Sequence, residues 1–537
     1  MSSAETISLK SGKTIEADIV ETTSDYIKVD IQGAKVKYYL DEIQNINKNE
    51  ISNLNPDFQK ALGKAKKSVV KVLAFDDDCS NKISLCPKLN LGSGFIISSN
   101  GLIATNCHVL AGFAQAQVWL DNKLRLPVKE ITAYDIKKDI CIIKVEAPGL
   151  EPLKLSPPRK YNIGDSVLAI GYPLNPKSSL LSDSRFEADR QLINFYQGNI
   201  IEFIDLSYTK RFIINAPIEH GISGSPFITQ QGQVIAIAIQ TRDNMAIAAS
   251  IDDLLSLANA GKPLSLQEFS LLKDAKAMVL NLKAKNQQKK GKLEQAISYY
   301  RQSVNLSNEN IDYYFDLGLA YEEKGSLKQA ADQFEKIIKK EPGYALVEAK
   351  LAHVLSKEGS LEAALKHSQK AIKLMPNDPE VSNNHGLILS QLNKNKEAIA
   401  FFKKVLAIDP RNLDAYINLG NSYCNLGDYK EGMKYYEKAI DINPDSELPY
   451  HNVAKAYFRQ GLYVDAITYY RRAIEKNPSD AQSFLEMAIA HHLINDFNLA
   501  QAYFQKAKML FERQGQKEKA RKISQYLKKP SIMDFLK

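Results

Sequence analysis

The sequence predicts a multidomain protein: a small β-barrel, then a larger antiparallel all-β sandwich or barrel, then an all-α array of helical repeats. Three observations carry this expectation. At 537 residues the chain exceeds what one hydrophobic core serves. Short apolar runs with strand spacing, broken by Gly and Pro turns, recur from residue 5 to about 258. From about residue 277 the pattern changes abruptly to helical spacing rich in Ala, Leu, Tyr, Lys and Glu, and it repeats every 34 residues.

Residues 1–50 form the first element. The runs TISLK, TIEADIVE, YIKVDI and KVKYYL are separated by Ser11-Gly12, Thr23-Ser24-Asp25 and Gln32-Gly33, and LDEIQNI reads as a short turn. Four strands so closely spaced predict a small barrel. This pattern resembles the compact SH3-like modules found at the start of many bacterial exported proteins. Because no convergent polar cluster is visible in it, the expected role is structural or docking. Residues 51–66 read as a linker helix.

Residues 67–260 read as many strands and few helices: VVKVLAF, SGFIIS, GLIATNCHVL, AQVWL, DICIIKV, DSVLAIGYP, GNIIEFI, RFIINAP, VIAIAIQ and MAIAASI. Only two histidines, His108 and His220, precede residue 260. The search for a general base is therefore short. His108 follows two strands joined at Asn100-Gly101, Asp139 opens the apolar strand ICIIKV, and Ser223 lies in the turn GISGSP. Singly each has an ordinary reading, as a structural histidine, a strand-end cap and a turn. Together, in the order His, Asp, Ser, they match one of the chain orders used for acyl transfer.

The segments GSGFIISSNGLIATNCHVL, DIKKDICIIKV, GDSVLAIGYP and NAPIEHGISGSPF stand in the right order over residues 65–258 and resemble trypsin-like serine peptidases of the HtrA/Deg type. The resemblance implies a chymotrypsin-like double β-barrel and a serine endopeptidase. A serine hydroxyl is a weak nucleophile until a base takes its proton, which makes His108 the candidate base, Asp139 its orienting acid and Ser223 the nucleophile. Gly221 lets the loop turn so that its N–H and that of Ser223 face an oxyanion. Asp135 is the rival acid, but no apolar strand follows it directly. His220, Ile239, Ala248 and Ala249 are the candidate pocket residues, with an apolar pocket expected to select a small or medium aliphatic side chain. Ser225 stands where the family usually has a second Gly, and Ile222 where it often has Asn or Asp. Residues 174–196 form a long insertion expected to border the cleft. Helical repeats follow where the family usually carries a PDZ-like domain.

Residues 261–276 read as a linker or capping helix, and seven frames of 34 residues fill 277–514. Position 15 is Gly291, Gly325, Gly359, Asn393, Gly427, Gly461 and Asn495, residues tolerant of a left-handed turn between two helices. Position 20 is Ala or Gly in every frame, and Pro342, Pro376, Pro410, Pro444 and Pro478 close second helices at position 32. The period and these anchors resemble the tetratricopeptide repeat family, whose stacked helices form a solenoid that binds proteins or peptides. Asn384, Asn418 and Asn452 recur at position 6 and make a candidate ladder for a peptide backbone, since an amide both donates and accepts. Tyr at positions 11 and 24 reads as packing between helices. Residues 515–537 read as a basic capping helix and tail.

The net charge of +8, 70 basic against 62 acidic residues, is too diffuse to demand nucleic acid. An anionic surface bound by the Lys-rich tail is a distant alternative. No metal or cofactor is called for; the expected partners are protein or peptide substrates and proteins bound by the repeats, with an oligomer of the chain left open. No run of apolar residues is long enough for a transmembrane segment, and the opening MSSAETISLKSGKTIE has no leader pattern. Read as written, the chain is expected in the cytoplasm, or in the periplasm or outside the cell if a leader has been removed. Cys79 and Cys86 are close enough to bridge in an oxidising compartment, while Cys107, Cys141 and Cys424 read as core residues. The competing class is a non-enzymatic scaffold built on a silent protease fold.

Overall fold

The computed structural model describes the chain outside residues 1–4, 10–13, 23–25, 32–33, 40–42, 48–55, 77–88, 121–123, 158–160, 174–192, 217, 219–220, 243–244, 258–261 and 529–537. Over 5–47 and at 241–242 and 528 it describes backbone alone. Two compact units result, Met1–Tyr313 and Tyr314–Lys537.

The first unit opens with an antiparallel sheet of five strands, β1 (Glu5–Leu9), β2 (Thr14–Thr22), β3 (Tyr26–Ile31), β4 (Ala34–Tyr39) and β5 (Ile43–Asn47), in the order β4-β3-β2-β1-β5. β5 corrects the expectation of a turn at LDEIQNI. Ile43 and Ile46 supply apolar positions that pair with Leu9 and Ile7 of β1, so the segment is held in the sheet by a partner distant along the chain. The helix Pro56–Ala65 (α1) buries Phe58, Ala61, Leu62 and Ala65 and leads into the next strands.

The following strands are β6 (Val69–Phe75), β7 (Leu89–Ser98), β8 (Leu102–Thr105), β9 (Gln115–Leu120), β10 (Leu124–Asp135) and β11 (Ile140–Val145). They close into one barrel in the order β10-β11-β8-β7-β6-β9. β10 escapes the sequence pattern because much of it is exposed and Pro127 interrupts it. The remaining strands are β12 (Lys154–Leu155), β13 (Ser166–Gly171), β14 (Asn194–Leu206), β15 (Thr209–Ile214), β16 (Pro226–Ile228), β17 (Gln233–Arg242) and β18 (Met245–Ser250). β17 pairs with both β16 and β18, which turns β17-β16-β13-β14-β15-β18 into a second ring of six, with β12 alongside β17. Between the rings, Phe95, Ala104, Ile140 and Ile142 of the first share one core with Leu168, Ile170, Ile228 and Ile237 of the second. Full closure leaves few exposed strand edges.

The helix that carries His108, Cys107–Leu110 (α2), follows β8. After α3 (Ile251–Leu257) and α4 (Leu266–Leu271) come α5 (Lys273–Lys289) and α6 (Leu293–Leu306), the first helical hairpin, which belongs to the first unit. α4 begins with a capping box in which Ser265 and Glu268 satisfy each other's backbone amides. The contacts with the barrels are specific: Ser270 donates to the carbonyl of Phe113 at 2.9 Å, and the buried Arg211 guanidinium forms two bonds of 2.9 and 2.7 Å with Asp312.

The array keeps its 34-residue register. Gly291, Gly325, Gly359, Asn393, Gly427, Gly461 and Asn495 all have φ between 59° and 94°, the left-handed turn that the sequence predicts at their position. Ala296, Ala330, Ala364, Ala398 and Ala466 are wholly buried where paired helices meet. An aromatic ring at position 24 lies on a small residue at position 8. A Cβ added to Gly318, Gly386 or Gly420 would strike Phe334, Phe402 or Tyr436 within 2.7 Å. The tyrosines expected to pack between helices do so: Tyr300, Tyr436 and Tyr470 are among the largest fully buried side chains. The last described helix, Lys517–Lys528, buries Ala520, Ile523 and Tyr526 and turns Lys517, Lys519, Arg521 and Lys522 outward. Among the described residues no helix is long and apolar enough to cross a membrane.

Candidate active site

His108 lies on α2, just beyond the β7–β8 hairpin. Asp139 precedes β11 and takes a left-handed backbone conformation, φ 59°, unusual for a residue with a side chain. That turn aims its carboxylate back at α2. Asp139 Oδ2 lies 2.5 Å from His108 Nδ1, and Oδ1 accepts the His108 backbone N–H at 2.9 Å. One carboxylate therefore holds both the ring and the main chain of the histidine. The side-chain amide of Asn106 donates to the Asp139 carbonyl at 2.7 Å, and that of Asn90 to the carbonyls of His108 and Val109 at 3.0 and 3.1 Å. The Asp139 side chain is 12% exposed and that of His108 20%. The acid is enclosed while the base keeps an open edge. Asp135, the rival acid, is engaged elsewhere. Its Oδ1 accepts the amides of Lys137 and Lys138 and caps the turn before Asp139.

Ser223 sits in the β15–β16 connection, between Gly221 (φ 96°) and Gly224 (φ 87°). A Cβ on Gly224 would lie 2.0 Å from the Ser93 carbonyl, so only glycine fits there. The Ser223 hydroxyl donates to the Ile239 carbonyl on β17 at 3.2 Å. Among the described residues neither the Gly221 nor the Ser223 N–H is engaged, which leaves two donors on one loop. Ile222, Gly224 and Ser225 are fixed by the Ser225 N–H to Ile222 carbonyl bond and by Gly224 and Ala238 bonds across to β17.

Sequence reasoning misses Ser93. Its N–H donates to the Ser223 carbonyl at 2.7 Å and its hydroxyl to the Gly221 carbonyl at 3.1 Å, tying the serine loop to the first barrel. The run GSGF is the signal that could have found it. Ser225, standing where a second Gly is usual, is buried, and a Cβ on Gly171 would lie 1.8 Å from its hydroxyl. The bulk added at Ser225 is accommodated by the missing side chain at Gly171.

The other expected residues fall as follows. Ile239 is buried in the core between the rings, Ala249 lies in that same core, and Ala248 lies in the core of the second ring. His220, most of the 174–196 insertion and both Cys79 and Cys86 lie outside the described residues. Cys107 and Cys141 correct the expectation of simple core residues: they are buried, but joined as a disulfide with Cα atoms 5.1 Å apart. Thr105 and Cys141 are register partners of β8 and β11, which brings the two cysteines side by side. The bond ties the residue before His108 to the second residue after Asp139. Cys424 is free and buried. In the array, Asn384, Asn418 and Asn452 are half-buried, and the Asn418 amide donates to Asn383 at 3.0 Å.

The description "Trypsin-like peptidase domain" matches residues 92–237. Tetratricopeptide repeat descriptions match 289–325, 312–344, 386–427, 413–446 and 449–480. An uncharacterized protein y4bJ of Sinorhizobium fredii is 34% identical over 182 residues, 34% of this chain and 27% of that protein. Proteins named probable periplasmic serine endoprotease DegP-like from Pseudomonas putida and Hahella chejuensis are 32% and 33% identical over 176 and 174 residues, about a third of each chain. The chain thus spans about a third or less of the length of these relatives. A crystal structure of Rv3671c protease from M. tuberculosis, active form, aligns with TM-score 0.31 and 23% identity over 40% of this chain and 90% of its own. Residues 92–237 are a trypsin-like peptidase domain, similar in sequence to proteins named DegP-like, and the helical region carries tetratricopeptide repeats.

Proposed function

We propose that the protein is a serine endopeptidase that hydrolyses peptide bonds through His108, Asp139 and Ser223, and that its repeats recruit protein substrates or partners. The observation that carries this reading is the His108–Asp139 pair, in which one carboxylate grips ring and main chain 2.5 and 2.9 Å away. A carboxylate on Nδ1 sets the tautomer with Nε2 as base and stabilises the imidazolium that forms. His108 takes the Ser223 proton as Oγ attacks the scissile carbonyl, and the oxyanion is received by the Gly221 and Ser223 N–H groups. The C–N bond breaks as the imidazolium protonates the leaving amine. Water then attacks the acyl-enzyme, passes a proton to His108, and the acid product leaves as the serine recovers its proton. Each oxyanion donor contributes about 3 to 4 kcal/mol in such sites.

The fold also supports a place for the substrate. Residues Gln240–Arg242 of β17 pair with β18 on one side, just past a bulge at Ile239, and among the described residues no strand pairs on the other. An extended peptide laid antiparallel on that edge puts its scissile bond beside Ser223 and its preceding residues opposite Gln240–Arg242. Ile239, Ala248, Ala249 and His220 belong to the pocket in this reading, and Asn384, Asn418 and Asn452 to a peptide-binding face of the array. We place the functional boundaries at 1–50, 51–66, 67–260, 261–276, 277–514 and 515–537.

A fluorophosphonate probe tests the chemistry. It should label the full chain and spare Ser223→Ala, and the full chain alone should cleave a quenched protein substrate. A native protein that neither labels nor cleaves would leave the fold as a scaffold for its repeats.

A further inference from the structure

The first helical hairpin is built into the peptidase. A Cβ on Gly112, four residues beyond His108, would lie 2.7 Å from Val279 of α5, so that helix runs hard against the segment that carries the histidine. Further along α5, Lys285 Nζ lies 3.4 Å from Gln240 Oε1. Gln240 is the next residue after Ile239, whose carbonyl holds the Ser223 hydroxyl. The helix therefore reaches the open edge of β17 at the point where a bound peptide would run.

Its charge is one-sided. Lys273, Lys276, Lys283, Lys285 and Lys289 stand against Asp274 alone, and Lys289 follows Lys285 by four residues on the same helical face. Nearer the serine, Ile239 and Ala249 are apolar, so among the described residues the basic character lies upstream along the peptide.

We propose that α5 forms a wall of the substrate cleft and that Lys285 selects peptides with an acidic side chain two to four residues before the scissile bond. This rests on the peptidase reading and names its substrate class. A carboxylate there adds a charge-assisted bond to the ammonium, stronger than its bond to the neutral Gln240 amide. A basic side chain at the same place meets like charge. The first repeat is then part of the catalytic unit, in keeping with its inclusion within Met1–Tyr313.

The test is a fluorogenic peptide library with a fixed small aliphatic residue before the scissile bond, in which the second, third and fourth residues upstream are varied among Glu, Ala and Lys. The readout is the Glu-to-Lys ratio of kcat/KM within each full-length preparation, which cancels differences in active fraction. The native chain should favour Glu by about tenfold at one of these positions, the lower end of what a hydrogen bond to a charged group contributes. Lys285→Ala should bring that ratio toward one, and Lys285→Glu should invert it. An acidic preference that survives Lys285→Glu, or no preference in the native chain, overturns the proposal while active-site labelling leaves the peptidase reading intact. Absence of both labelling and hydrolysis overturns the two together.

Discussion

The two halves of this chain reach stability by opposite routes. In the β region the decisive contacts join distant residues: Ser93 bonds Gly221 across 128 positions, and the histidine is gripped by an acid 31 positions away. In the array the ties are local, such as Tyr436 to Asn421 at 15 positions and Asn418 to Asn383 at 35. A non-local assembly concentrates function in a few bonds that all must form. A repeating one spreads it over many equivalent interfaces, each contributing a little.

That contrast can be broken or sharpened by substitution. The largest effect belongs to Asp139→Asn, which keeps the shape of the contact but reverses what the group offers the ring, and should lower kcat by about 10⁴-fold with KM little changed. Steady-state kinetics on a cleavable peptide checks it; a loss below tenfold would argue that the pair is structural. Next comes the Cys107–Cys141 bond, which closes a 34-residue separation. Replacing both with alanine should destabilise the β region by about 3 to 4 kcal/mol in the chain-entropy account, read from denaturant unfolding of the full chain. The array should keep its own transition unmoved.

The smallest effect is in the repeats. Burial holds the His385 imidazole below its ordinary value near 6.5, with the Glu397 charge opposing weakly, and Ser368 lies 2.8 Å from its Nδ1. The unfolded chain therefore takes up the proton first as pH falls. Stability contributed by neutral His385 is present above about pH 6.5 and declines below it. His385→Gln should flatten that acid-side slope while changing stability at neutral pH by less than about 1 kcal/mol, measured by thermal unfolding across pH. An unchanged slope would place the titration elsewhere.

The same contrast explains what can be read in advance. The array is legible down to single residues, because a 34-residue period exposes its own anchors: seven Gly or Asn in one row, and seven left-handed turns. His108, Asp139 and Ser223 are legible as segments in order, since each sits beside a strand with a clear apolar run. What positions each of them is not. The Ser93 bonds, the Asn106 and Asn90 amides and the Cys107–Cys141 pairing depend on which strands become neighbours, which no local pattern encodes. β10 escapes for a related reason: half exposed and broken by Pro127, it lacks an alternating signal and is a strand because β9 and β11 complete it. β5 is likewise supplied by its partner β1.

The serine hydroxyl rests on the Ile239 carbonyl, an acceptor that an incoming peptide's own N–H would claim when it joins the edge of β17. In the proposed enzyme, a docked peptide and the resting nucleophile then compete for one acceptor, and the guest's gain leaves the hydroxyl to the imidazole.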